Sequence, residues 1–303
     1  MEKKKHRFLW QYKSRGEKAF FVFNAAFMIL ISLCFILPFL IVLGTSFLSE
    51  AEVSVRGAFV LIPENPDLGA YRMLLDRGSY IYRAYFVTIL RVVVGTALSL
   101  IFTATMAYAL SKKSLPGRNF FILLVFITMI ISGGLVPNYL LYKSIHINNS
   151  FWVMVLPFLI NPWWMLIMRN FFAEIPHELE ESAEIDGCTP LKTLVRIILP
   201  LSVPSMATIG LFYAVMHWNE WFNPSLFIDD ARWHPVQVLL RKIVMVATSE
   251  GMNNDVITAM GSKPPSASLK AATMIVSTVP ILCIYPFLQK YLVKGMLVGS
   301  VKG

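Results

Sequence analysis

Charge is scarce in this chain: Asp, Glu, Lys and Arg make up 15% of its 303 residues. Soluble domains carry roughly 25%, so a water-soluble globule is excluded. Cysteine is scarcer still. Cys34, Cys188 and Cys283 are widely spaced and two lie in hydrophobic runs, so neither a disulfide framework nor a metal cluster follows. No G-x-x-x-x-G-K-[ST] phosphate loop occurs. Gly261-Ser262-Lys263 is the nearest string, and it lacks the spacing that lets backbone amides cradle phosphates. ATP hydrolysis, where it enters, belongs to another polypeptide. His177-Glu178-Leu179-Glu180-Glu181 approaches the H-E-x-x-H zinc motif, but Glu181 stands where the second histidine belongs. No Ser/His/Asp or Cys/His spacing signals a nucleophile. The chain is read as a non-enzyme with no cofactor or metal of its own. Internal repeats and low-complexity stretches are also missing.

Apolar residues are plentiful, at 56% of the chain. They gather into runs that reach the ~20 residues a spanning helix needs. An all-α integral membrane protein with six transmembrane helices is expected. The spans are placed at about 19–47, 84–110, 120–141, 151–168, 201–222 and 269–292. Pro38 is expected to kink the first, and Ser132-Gly133-Gly134 with Pro137 to break the third. Pro157 and Asn161-Pro162 interrupt the fourth. The first run is too long for a signal-peptide core and has no convincing cleavage site, so it is read as an uncleaved span. The domain reading is an N-terminal segment 1–18 followed by one membrane domain, 19–303. Within that domain are a polar loop 174–200, a long outer loop 223–268 and a tail 293–303.

The formal net charge of +9 comes from short basic clusters beside hydrophobic runs, without interleaved base-stacking aromatics, so a nucleic-acid partner is not indicated. With the N-terminus inside, sixteen Lys and Arg residues fall on the cytoplasmic side and ten in the longer outer loops, with Arg91 left inside the second span. The positive-inside rule therefore makes both termini, and the loop 174–200, cytoplasmic. Arg91 is expected to pair with an acid or snorkel to the outer interface.

Residues 178–200, ELEESAEIDGCTPLKTLVRIILP, look ordered although they lie between spans. Acids crowd the first turns of a helix, where the dipole favours them. Gly187 suits a left-handed C-cap, Thr189-Pro190 starts a second short helix, and Pro200 is expected to stop it. Such a polar, capped helix-turn-helix is a docking element. The densest polar group within the spans is His217, Trp218, Asn219, Glu220 and Trp221, with Asn161 in span four. Aromatics there serve equally as an interface belt or as a substrate path. Sugars offer C–H faces for stacking and hydroxyls that need both donors and acceptors. A proton-carrying role for Glu220 in a secondary transporter is the rival reading.

Glu181-Ser182-Ala183, then Gly187, nine residues and Ile197-x-Leu199-Pro200 resemble the EAA loop of ABC-importer permeases, with Ser182 in place of the usual second alanine. Span number, loop position and the ending Gly299-Ser300-Val301-Lys302-Gly303 are similar to the maltose-type permease subunits. A Trp-Asn-acid-aromatic string like 218–221 occurs at this place in many carbohydrate permeases, and Gly133 to Tyr139 resembles a branch associated with complex oligosaccharides, including uronic-acid or pectin-derived ones. The resemblance implies a type I importer fold in a bacterial cell membrane. Glu181, Ser182, Ala183, Asp186, Gly187, Ile197, Leu199 and Pro200 would form the coupling element. Its implied partners are a homologous permease, two ATPase subunits that bind ATP and Mg, an extracytoplasmic solute-binding protein and an oligosaccharide. A non-sugar cargo is the alternative within the same class.

Overall fold

The computed structural model describes residues 14–76, 79–246 and 267–300. Most of the N-terminal segment, Gly261-Ser262-Lys263 with most of the second half of the outer loop, and the last three residues of the tail lie outside them. Among the described residues every regular element is helical. The chain forms two compact units, residues 1–73 with 265–275 and residues 74–264 with 276–303.

In the first unit, α1 (Arg15–Ser46) starts at a capping box. The Ser14 hydroxyl accepts from Glu17 N–H at 3.3 Å and the Glu17 carboxylate accepts from Ser14 N–H at 2.8 Å. The consecutive Phe20, Phe21, Val22 and Phe23 are all exposed, so apolar side chains face outward all round α1, as expected of a helix bathed in lipid. It continues through Pro38 without a break. At its end Thr45 Oγ1 donates to Ala58 O at 2.7 Å. Gly44 lies so close to the carbonyls of Val60 and Leu61 that a β-carbon would collide with them. Short helices α2 (Glu50–Arg56) and α3 (Gly69–Leu74) complete the segment.

The second unit is built around α4 (Ile81–Ser111). Gly95, Ser99, Thr103 and Ala107 recur every fourth residue on its buried face. Small side chains at that spacing let two helices approach α4 closely: α7 (Pro162–Ala173) and α11 (Val203–Asn219). The fit is tight. A β-carbon on Gly95 would lie 2.6 Å from His217 Nε2, and one on Gly210 3.0 Å from Leu100 Cδ1. Tyr213 ties the three helices, its hydroxyl bonding Thr103 Oγ1 at 2.6 Å and accepting from Asn161 N–H at 2.8 Å.

Among the described residues two helices, α1 and α4, are each long and apolar enough to cross a membrane, and three bent helix pairs reach that length together. α5 (Arg118–Ile130) and α6 (Leu135–Ser144) meet at 116°, so α6 turns back instead of extending the crossing as the expected span 120–141 would have it. Gly134, at φ +83°, provides the left-handed corner that side chains resist. Turns at Phe151–Met154 and Leu156–Phe158 precede α7 at 49°. Then follow α8 (Glu178–Ile185), α9 (Pro190–Thr193), a π turn Leu194–Ile198 and α10 (Leu199–Leu201). This run ends at Leu201, one residue past Pro200. The wider π turn precedes the proline, whose ring nitrogen has no hydrogen to donate, and the chain corners at Ser202 before α11, at 89°. The outer loop is not irregular where described, because it holds α12 (Phe222–Phe227) and α13 (Val236–Val246). The last helix, α14 (Ala267–Ser300), covers the expected sixth span.

Candidate functional site

The capped elbow formed by residues 178–200 has two faces. α8 ends in a Schellman motif: Cys188 N–H donates to Ala183 O at 2.8 Å and Gly187 N–H to Glu184 O at 3.0 Å, with Gly187 at φ +74°. Thr189 occupies the cap position of α9, although its side chain makes no cap bond. Glu180 and Ala183, one turn apart, are buried, whereas Glu181, Ser182, Asp186, Gly187 and Pro200 are exposed and Ile197 and Leu199 half-buried. Ala183 thus packs against its own chain instead of facing outward. Apolar side chains the motif does not mark stand out in its place: Ile185 is 87% exposed and Leu191 65%, beside exposed Leu179 and Val195.

The inner face is knitted to the spans. Glu180 forms an ion pair with Lys112, at the C-terminal end of α4, and the Lys112 ammonium lies 4.3 Å from the Tyr108 ring centre. Arg118 and Arg169 both donate to Leu110 O, at 2.9 and 3.1 Å. These cations meet the free carbonyls and negative dipole of the α4 C-terminus. Leu194 and Ile198 belong to the same core as Ala107, Met165, Phe172 and Ile209. The elbow is therefore packed into α4, α7 and α11.

The expected path residues are dispersed. Trp218 is buried, its ring 6.5 Å from Tyr85. The exposed Asn219 turns its amide back to Val215 O at 3.0 Å. Glu220 accepts from Asn223 N–H at 2.8 Å, and Trp221 lies under the Arg241 guanidinium at 3.5 Å. Asn161 caps α7, its side-chain oxygen accepting from Trp163 and Trp164 N–H.

Among the described residues Arg91 has no side-chain ion pair, and it does not snorkel. It is fully buried and donates to two main-chain carbonyls, Met154 O at 3.2 Å and Glu220 O at 2.7 Å, with Phe158 5.8 Å away. Both carbonyls sit where helices are interrupted, so they have no intrahelical donor. A forked guanidinium serves two such breaks at once. Nothing in a single sequence marks which carbonyls a buried arginine will find.

These features, a helical membrane core of broken spans and a capped elbow wired into it, define a class of transport subunit. Residues 114–298 match the family of binding-protein-dependent transport system inner membrane components, and the chain belongs to it. It is 44% identical over 278 residues to the polygalacturonan/rhamnogalacturonan transport system permease protein YtcP of Bacillus subtilis, covering 91% of this chain and 96% of YtcP. It is 42% identical over 292 residues to protein LplC of the same organism, covering 96% and 98%. A solved bacterial ABC transporter involved in the import of the acidic polysaccharide alginate aligns with TM-score 0.82 at 30% identity, covering 92% of this chain and 99% of that one. The fold is that of a type I ABC importer permease, and the chain is a permease, a non-catalytic subunit.

Proposed function

We propose that this chain moves an oligosaccharide through the membrane by alternating access, driven at α8 by separate ATPase subunits that bind ATP and Mg. Its six spans are α1, α4, α5 with the turned-back α6, the turns 151–158 with α7, α11 and α14, with both termini and α8 cytoplasmic. A homologous permease completes the pathway and a solute-binding protein loads it from outside. The observation that carries this reading is the two-faced elbow. Exposed Ile185, Leu191 and Leu179 offer an apolar contact on an acidic, capped helix, while Glu180, Leu194 and Ile198 fasten its other side to the spans. Exposed apolar patches of this kind mark partner sites. The ATPase drives the cycle only by binding one state better than the other. The oligosaccharide cargo is supported by the resemblance to YtcP and to the alginate importer.

The test is cysteine crosslinking from Ser182→Cys and Ile185→Cys to the ATPase subunit of the assembled transporter, across nucleotide states. Crosslinks that form and change with nucleotide are expected. Failure to form any, in every nucleotide state, overturns the coupling assignment. Gly187→Asp, which puts a side chain at φ +74°, is expected to abolish uptake while the permease stays in the membrane.

A further inference from the structure

Between the α5–α6 corner and α12 lies a cavity of about 280 Å³. Ser132, Asn138, Tyr142 and Asn223 are its polar lining residues, and Leu135, Phe222 and Phe227 form its apolar wall. Its lining begins one residue beyond Trp221. We infer that this cavity is a binding subsite for one glycosyl ring of the transported oligosaccharide. The inference rests on the importer reading above.

The chemistry of the lining selects a saccharide. Two amides and two hydroxyls supply donors and acceptors together, as vicinal sugar hydroxyls require. None of the lining side chains is charged, which disfavours a small-ion site, and four polar groups are too many for a lipid tail. The volume is at the small end of ligand pockets, which start near ~300 Å³, so one ring fits and the rest of an oligosaccharide extends beyond.

The walls are held in place. Gly134 N–H donates to Ser132 Oγ at 3.3 Å, and Tyr142 stands edge-on to Phe227 at 5.0 Å. Asn223 is anchored through its N–H to the Glu220 carboxylate, and Glu220 through its carbonyl to buried Arg91, at 2.8 and 2.7 Å. Glu220 and Arg91 are positioning residues: they set where Asn223 points and do not touch the sugar.

The experiment uses the whole transporter, with partner permease, ATPases and solute-binding protein, in proteoliposomes. Oligogalacturonates, alginate oligomers and arabino-oligosaccharides are screened for ATP-driven uptake, and the best one is carried forward. Asn138→Ala and Asn223→Ala are expected to raise its KM about fivefold for each hydrogen bond lost, with co-purified ATPase as the measure of assembly. Glu220→Ala should raise KM likewise, and Glu220→Gln, which keeps an acceptor, should restore it. Ser132→Cys should react with a methanethiosulfonate more slowly when the saccharide is present. Comparing uronate with neutral oligomers tells which kind of ring the subsite takes. Uptake by wild type with unchanged KM in both asparagine variants and no protection at residue 132 overturns the subsite alone. No ATP-driven uptake of any of these sugars by wild type overturns the saccharide reading and the subsite with it.

Discussion

Replacing Arg91 by alanine leaves the Met154 and Glu220 carbonyls without their donor in a dry interior, at about 1–3 kcal/mol each. A large drop in melting temperature of the detergent-purified protein is therefore expected, and Arg91→Lys should recover only part of it because an ammonium has no fork. Gly95→Ala is expected to cost about 1–3 kcal/mol by overpacking against His217, and His217→Ala in the same chain should recover most of it. Equal melting of the single and double variants would refute that contact. His234 is the residue-scale pH probe. Lysine can only donate, so Lys242 Nζ at 3.1 Å makes Nδ1 the acceptor, and the proton sits on Nε2, which donates to Ile228 O at 3.0 Å. Burial pushes the imidazole below its ordinary value of 6.5. A depressed folded value favours the neutral ring, so its contribution is complete above 6.5 and is lost as pH falls toward the folded value. With the intrinsic pH dependence of amide exchange divided out, protection of α13 should fall on acidification below 6.5 and stay level above it.

At the scale of elements, the Lys112–Glu180 pair joins α8 to the end of α4 and is mostly buried. Lys112→Ala should destabilise the join by on the order of 1–3 kcal/mol, because it strands a partly buried carboxylate, and should lower uptake. The swap Lys112→Glu with Glu180→Lys should recover part of both. Uptake at wild-type level in Lys112→Ala would show that α8 transmits its motion by another route. The spacing of apolar residues made α1, α4 and α11 legible, because a spanning helix satisfies its own backbone and needs only length and hydrophobicity. The α5–α6 corner was legible as a break at Gly133-Gly134, but its 116° bend was not. Composition tells where a helix stops and not where the chain goes next. Pro200 marked the stop to within one residue, but the π turn before it and the 89° corner after it were not legible.

At the scale of the molecule, topology is tested by labelling. A cysteine at Asp229 should react with an impermeant reagent from outside, and one at Ile185 only after permeabilisation; the reverse pattern would invert the proposed orientation. The amino-acid sequence by itself determined that the chain lives in a membrane and carries a capped elbow, and its EAA-like spacing pointed to an importer. Those properties are local, set by hydrophobicity, turn chemistry and fixed spacing along the chain. Only the tertiary structure decided that Arg91 staples two helix breaks, that Ala183 faces inward while Ile185 faces out, and that the polar cavity lies at Asn138 and Asn223 rather than at Trp218. Each of those outcomes depends on which distant carbonyl or ring comes within reach, and close packing fixes that only when the helices have met.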